Sequence, residues 1–114
     1  WELARRLIAA FGESVTATGA RFVLVYVPAN VEIEPDTWRR AQEGSALPDG
    51  LDLERPSREL ARIAGAGGME WLDLLPVFRA DPGPAPLYLR EGHWNAAGHA
   101  LAAEALDRAI GPLR

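Results

Sequence analysis

The chain has 114 residues, 48% of them hydrophobic and 25% charged, with a formal net charge of −4. A chain of this size and make-up builds one core rather than two. Its acidity argues against nucleic acid as a partner, since phosphate recognition relies on clustered cations. No apolar run approaches the roughly 18 residues of a membrane span, so no membrane partner is expected. There is no cysteine, and all twelve basic residues are Arg, which excludes disulfides, thiolate metal sites, cysteine nucleophiles, Schiff-base lysines and P-loop lysines.

Trp1-Glu2-Leu3 shows no basic start leading into a long apolar stretch, so no signal peptide is expected, and a Trp at position 1 reads as a processed or trimmed start. From Glu2 to about Thr18, Leu3, Leu7, Ile8, Phe11 and Val15 recur every three or four residues. That spacing predicts an amphipathic helix with this stripe on a core, ended by Gly19. Arg21 to Val27 is a continuous β-branched and aromatic run closed by Pro28, which predicts a strand buried on both faces of a parallel sheet.

Ala29 to Pro35 reads as a loop, Asp36 as the cap of a short helix through Gln42, and Glu43 to Pro56 as a Gly/Pro/Asp-rich connection. Ser57 to Ala64 predicts a helix with Leu60, Ile63 and Ala64 inward, stopped by Gly65, Gly67 and Gly68. Met69 to Leu75 predicts a second strand halted by Pro76. A Pro/Gly loop follows from Asp81 to Pro86, then a short extended piece at Leu87-Tyr88-Leu89. Asn95 is placed to cap a last helix whose apolar face carries Ala97, Leu101, Ala105, Leu106 and Ile110, with Gly111-Pro112 as its stop.

Two buried parallel strands leave two unpaired apolar edges, which a stable α/β layer does not tolerate. The order therefore implies either further strands N-terminal to Trp1 in a parent protein or self-association of copies through the exposed sheet edges.

The densest polar cluster is Glu91-Gly92-His93-Trp94-Asn95-Ala96-Ala97-Gly98-His99, at a strand-loop-helix junction of the kind where open α/β sheets bind ligands. His93 is the candidate general base, and Glu91 the acid that orients its ring. The plainer role for His93 is a ring that packs near a helix start. His99, inside the last helix, reads as a packing or hydrogen-bonding residue. Glu91, His93 and His99 match no common zinc spacing, so no metal is expected.

The run Glu91-Gly-His93-Trp94-Asn95-x-x-Gly98-His99, before an Ala/Leu-rich helix and after a strand ending in Asp73-Leu74, resembles the last sequence block of the SGNH (GDSL-type) serine hydrolases. The resemblance covers most of the chain, about the second half of a typical family domain. It implies an α/β fold of three α/β/α layers on a flavodoxin-like parallel sheet, incomplete in this chain. It also implies Ser-His-acid chemistry without a cofactor, on a small-molecule or carbohydrate ester.

His93 then corresponds to the base. Glu91 falls where the family commonly has Asp, one methylene shorter, and Arg90 rules out the Asp-x-x-His form. The nucleophile block and the oxyanion Gly and Asn have no counterparts in the chain and are expected before Trp1. The alternative is a non-catalytic α/β module that keeps the fold for binding or assembly.

The available serines are Ser14, Ser45 and Ser57. Gly12-Glu13-Ser14 mimics Gly-Asp-Ser, but it sits on a helical stripe, whereas a nucleophile elbow follows a strand; Ser14 therefore reads as a polar helix position. Asp73 reads as a residue that bonds loop backbone, Asn30 as one that borders a pocket without a specific signal, and Trp1, Trp38 and Trp71 as packing residues.

Overall fold

The computed structural model describes residues 1–44, 50–81, 83 and 86–111. Its elements in chain order are α1 (Glu2–Thr16), β1 (Val23–Tyr26), α2 (Asn30–Ile33), α3 (Pro35–Gly44), α4 (Arg55–Ala66), β2 (Glu70–Asp73), α5 (Leu75–Arg79) and α6 (Ala96–Ile110). They form two compact units, one of Trp1–Tyr26 with Glu54–Asp73, the other of Val27–Leu53 with Leu74–Arg114. Among the described residues no helix is long and apolar enough to cross a membrane.

The first unit is a small α/β layer. β1 and β2 pair in parallel with Val23 opposite Glu70 and Tyr26 opposite Asp73, as the two apolar runs require when a helix lies between them. α4 packs against both strands and buries Ser57, Ile63 and Ala64. The rings of Tyr26 and Trp71 on adjacent strands lie 6.5 Å apart. Phe11 meets Phe22 edge to face at 5.6 Å, where Gly12 leaves room for the ring.

Three expectations for this unit need correction. The strands are shorter than the apolar runs, and β1 is only half-buried along Val23–Val25, because a two-stranded sheet cannot be covered from every side. The Leu3, Leu7 and Phe11 stripe does not lie on a core; these side chains are 69%, 61% and 63% exposed. α4 begins at Arg55 rather than Ser57, with Pro56 accommodated in its first turn.

The second unit is helical around one hairpin. Leu74, Leu75, Phe78, Leu87, Tyr88, Ala102 and Ala105 form its buried core. The Phe78 ring stacks on Trp94 at 5.1 Å and lies 6.0 Å from Tyr88.

Here Pro76, expected to stop a strand, instead sits in the first turn of α5. Proline's missing N–H has no helical partner to lose at that position. The stretch expected as a loop holds α2, and α3 runs on to Gly44. α6 buries Gly98, Ala102 and Ala105, while Ala97 and Ile110 are exposed, so its inward face is rotated from the expected one toward the smaller residues. The expected connection over 43–56, the loop over 81–86 and the Gly111-Pro112 stop lie partly outside the described residues, and Ser45 lies wholly outside them.

Candidate functional site

The candidate histidine sits on a hairpin. The Leu89 N–H donates to the His93 carbonyl at 2.7 Å, the Gly92 N–H to the Leu89 carbonyl at 2.9 Å, and the Asn95 N–H to the Leu87 carbonyl at 3.0 Å. Tyr88 and Trp94 form an antiparallel bridge between the two limbs. This is a three-residue hairpin loop whose last residue must take positive φ, and Gly92 does so at 91°.

The far side of the hairpin runs straight into α6. The Asn95 Oδ1 accepts from the Ala97 and Gly98 N–H groups at 2.9 and 3.0 Å, as expected of an N-cap, and its Nδ2 donates to the Pro86 carbonyl at 2.6 Å. Gly98 is required for packing: a Cβ there would lie 2.4 Å from the Leu87 carbonyl oxygen. Hairpin and helix start are thereby held as one piece.

On this frame His93 and Glu91 are both exposed. Among the described residues no side-chain hydrogen bond joins them. His99 is exposed on α6, its ring edge-on to Trp94 at 5.5 Å. No group of three or more His, Cys, Asp or Glu that could hold a metal ion occurs among the described residues.

Two residues outside the motif belong to the same frame. Tyr88 is buried and its hydroxyl donates to the Pro28 carbonyl at 2.8 Å, spanning sixty positions. Burial pushes its phenol above the usual tyrosine range and the charges of Glu32 and Glu34 add to this, while the neighbouring Trp94 side chain works against it. Asn30 opens α2, and its amide lies where a Cβ on Gly92 would touch it, at 3.5 Å from Nδ2.

Beside the turn lies a cavity of about 490 Å³, lined by Asn30, Thr37, Arg40, Tyr88, Leu89 and Arg90 among others. The positive-φ glycine flags the turn in the sequence. Tyr88 and Asn30 carry no such local signal, because their roles depend on partners remote in the chain.

The remaining candidates fall elsewhere. The Ser14 hydroxyl donates to the Ala10 carbonyl at 2.8 Å within α1, which is the role expected of it. The Ser57 hydroxyl is buried and bound to the Asp73 carboxylate. Asp73 therefore accepts from a side chain, a partner not anticipated for it. Trp1 is exposed, and Trp38 and Trp71 are half-buried.

A two-stranded parallel sheet with a helix packed on both strands makes this an α/β protein. The chain matches the family described as SGNH hydrolase-like domain, acetyltransferase AlgX, over residues 2–113, and it belongs to that family. Neither a curated protein nor a solved structure matches it.

Proposed function

We propose that this chain supplies the histidine base and its acidic partner to an SGNH-type centre that hydrolyses or transfers a small acyl ester. The nucleophile serine comes from outside residues 1–114, and the three-layer, flavodoxin-like sheet is completed there too. The observation that carries this is His93 itself: an exposed imidazole on a rigid hairpin turn that leads into the capped N-terminus of α6.

In the proposed reaction His93 takes the proton of the serine hydroxyl as its oxygen bonds to the ester carbonyl carbon. The imidazolium then gives that proton to the leaving alcohol as the carbon–oxygen bond breaks. The acyl-enzyme is resolved by water or by an acceptor hydroxyl, whose proton passes to His93 and on to the serine. Glu91 holds the ring through its second nitrogen, which requires the two side chains to close on each other from their present exposed positions. A carbohydrate ester is the substrate class suggested.

The exposed, unbonded Glu91 and His93 favour a second reading, a non-catalytic module that keeps the fold. A fluorophosphonate probe separates the two on the protein that carries this chain. Labelling of a serine, lost in His93→Ala, is expected of the enzyme; no labelling in the unaltered protein leaves the binding module.

A further inference from the structure

We propose that the cavity beside the His93 turn is the subsite of a hydroxyl-bearing acceptor, and that Asn30 is the residue that selects it; this rests on His93 being the base. The cavity, about 490 Å³, has the size of a small-molecule site. An acetyl group is small and largely apolar, and walls of this kind do not suit it. Donors from Asn30, Arg40 and Arg90 and acceptors from Glu34 and Asn30 line it together with Pro86, Tyr88 and Leu89.

Part of the lining is already bonded within the protein. The Thr37 hydroxyl donates to the Glu34 carboxylate at 2.9 Å, and Arg40 donates to the Thr37 hydroxyl at 3.3 Å and to the Asp36 carbonyl at 3.2 Å. Among the described residues neither the Asn30 amide nor the Arg90 guanidinium has a side-chain hydrogen bond, and Asn30 is half-buried. A half-buried amide with no partner among the described side chains keeps its donors and acceptor open to a ligand.

Asn30 is also held in place. Pro28, two residues before it, is anchored by the Tyr88 hydroxyl, and the Asn30 amide nitrogen lies 3.5 Å from where a Cβ on Gly92, the residue before the base, would stand. An amide both donates and accepts, as a hydroxyl does, so it matches an alcohol on both counts, whereas Arg90 can only donate. An acceptor bonded to Asn30 attacks the acyl carbonyl carbon through its oxygen, loses its proton to His93, and takes the acyl group as the serine–acyl bond breaks. The proton then returns to the serine.

The test uses the protein that carries this chain, p-nitrophenyl acetate as donor and methyl β-glucoside as acceptor, and reads the ratio of acetylated glucoside to free acetate. Both products arise from one acyl-enzyme, so a general loss of structure lowers them together and leaves the ratio alone. Asn30→Ala and Asn30→Asp are expected to lower the ratio about tenfold, the scale of one lost hydrogen bond. An unchanged ratio in both variants, or no acetylated glucoside from the unaltered protein, overturns the subsite. His93→Ala tests the base separately: p-nitrophenol release that survives it removes the underlying reading, whatever Asn30 does.

Discussion

The Ser57 hydroxyl donates to the Asp73 carboxylate at 2.5 Å, joining the first turn of α4 to the last residue of β2. Ser57 is the one buried polar side chain in the described core. Its proton therefore stabilises a carboxylate at the end of a strand rather than awaiting a base. Replacing Ser57 with Ala removes this donor from the Asp73 carboxylate, which costs about 1–2 kcal/mol. Urea unfolding of the variant measures this. The same bond predicts that a fluorophosphonate does not label Ser57 in this chain, and an adduct there would contradict the structural role.

Ser57 and Asp73 also mark what a sequence can disclose. The apolar runs around Val25 and Leu72 made both strands and their parallel pairing legible, since burial and β-branching are local properties. Asn95 was legible as a cap because its partners Ala97 and Gly98 are two and three residues away.

What depended on distant partners stayed hidden. Nothing near Ser57 announces a carboxylate sixteen residues on, and nothing near Tyr88 announces Pro28. Pro76 was ambiguous by nature, because proline ends a strand and opens a helix equally well. The stripe of Leu3, Leu7 and Phe11 established a helix correctly but not what covers it, since periodicity reports a face and not a partner. For the candidate site, the turn that carries His93 was legible through Gly92 and Asn95, and Asn30 as a pocket-border residue just past Pro28, while the residues that share its cavity were not, because they come from distant parts of the chain.

Tyr88 predicts an alkaline weakness. Its phenol is raised above the usual tyrosine value in the folded chain, so above about pH 10 the folded form holds a proton that the unfolded form has lost. Stability from this group is complete below the unfolded value and falls as pH rises through the folded one. The chain has no cysteine and only Arg as its basic residues, and its second tyrosine, Tyr26, is present in both proteins, so the comparison with Tyr88→Phe isolates Tyr88. Unfolding of the unaltered chain is expected to become easier between pH 8 and pH 11, and Tyr88→Phe to show a smaller drop over that range. Near neutrality the variant loses about 1 kcal/mol with its bond to Pro28. Equal drops in both proteins would remove Tyr88 as the cause.

The two glycines of the histidine hairpin are expected to fail for different reasons. Gly92→Ala meets only ordinary contacts near Asn30, so its cost is the strain of a side chain at φ 91°, about 1–2 kcal/mol. Gly98→Ala drives a Cβ to 2.4 Å from the Leu87 carbonyl oxygen, which the Asn95 N–H already holds in place. Backbone cannot yield as a side-chain tip can, and a loss of more than about 2 kcal/mol is expected. Thermal unfolding of the two variants side by side decides it; a Gly98→Ala protein as stable as Gly92→Ala would mean that helix and hairpin slide apart freely.

Asn95 gives the sharpest test of whether hairpin and helix form one unit. Its side chain accepts from two N–H groups of α6 and donates to the Pro86 carbonyl. Asn95→Ala removes all three bonds and is expected to cost about 1–2 kcal/mol, whereas Asn95→Asp restores the acceptor alone and recovers part of that. Hydrogen exchange reports where the loss is felt. If the cap fastens the hairpin, the Ala variant speeds exchange not only at Ala97 and Gly98 but also at the Leu89 N–H, which closes the turn onto the His93 carbonyl. Leu89 protection that survives the substitution would confine Asn95 to helix capping and leave the placement of His93 to Gly92 and the stacked Trp94.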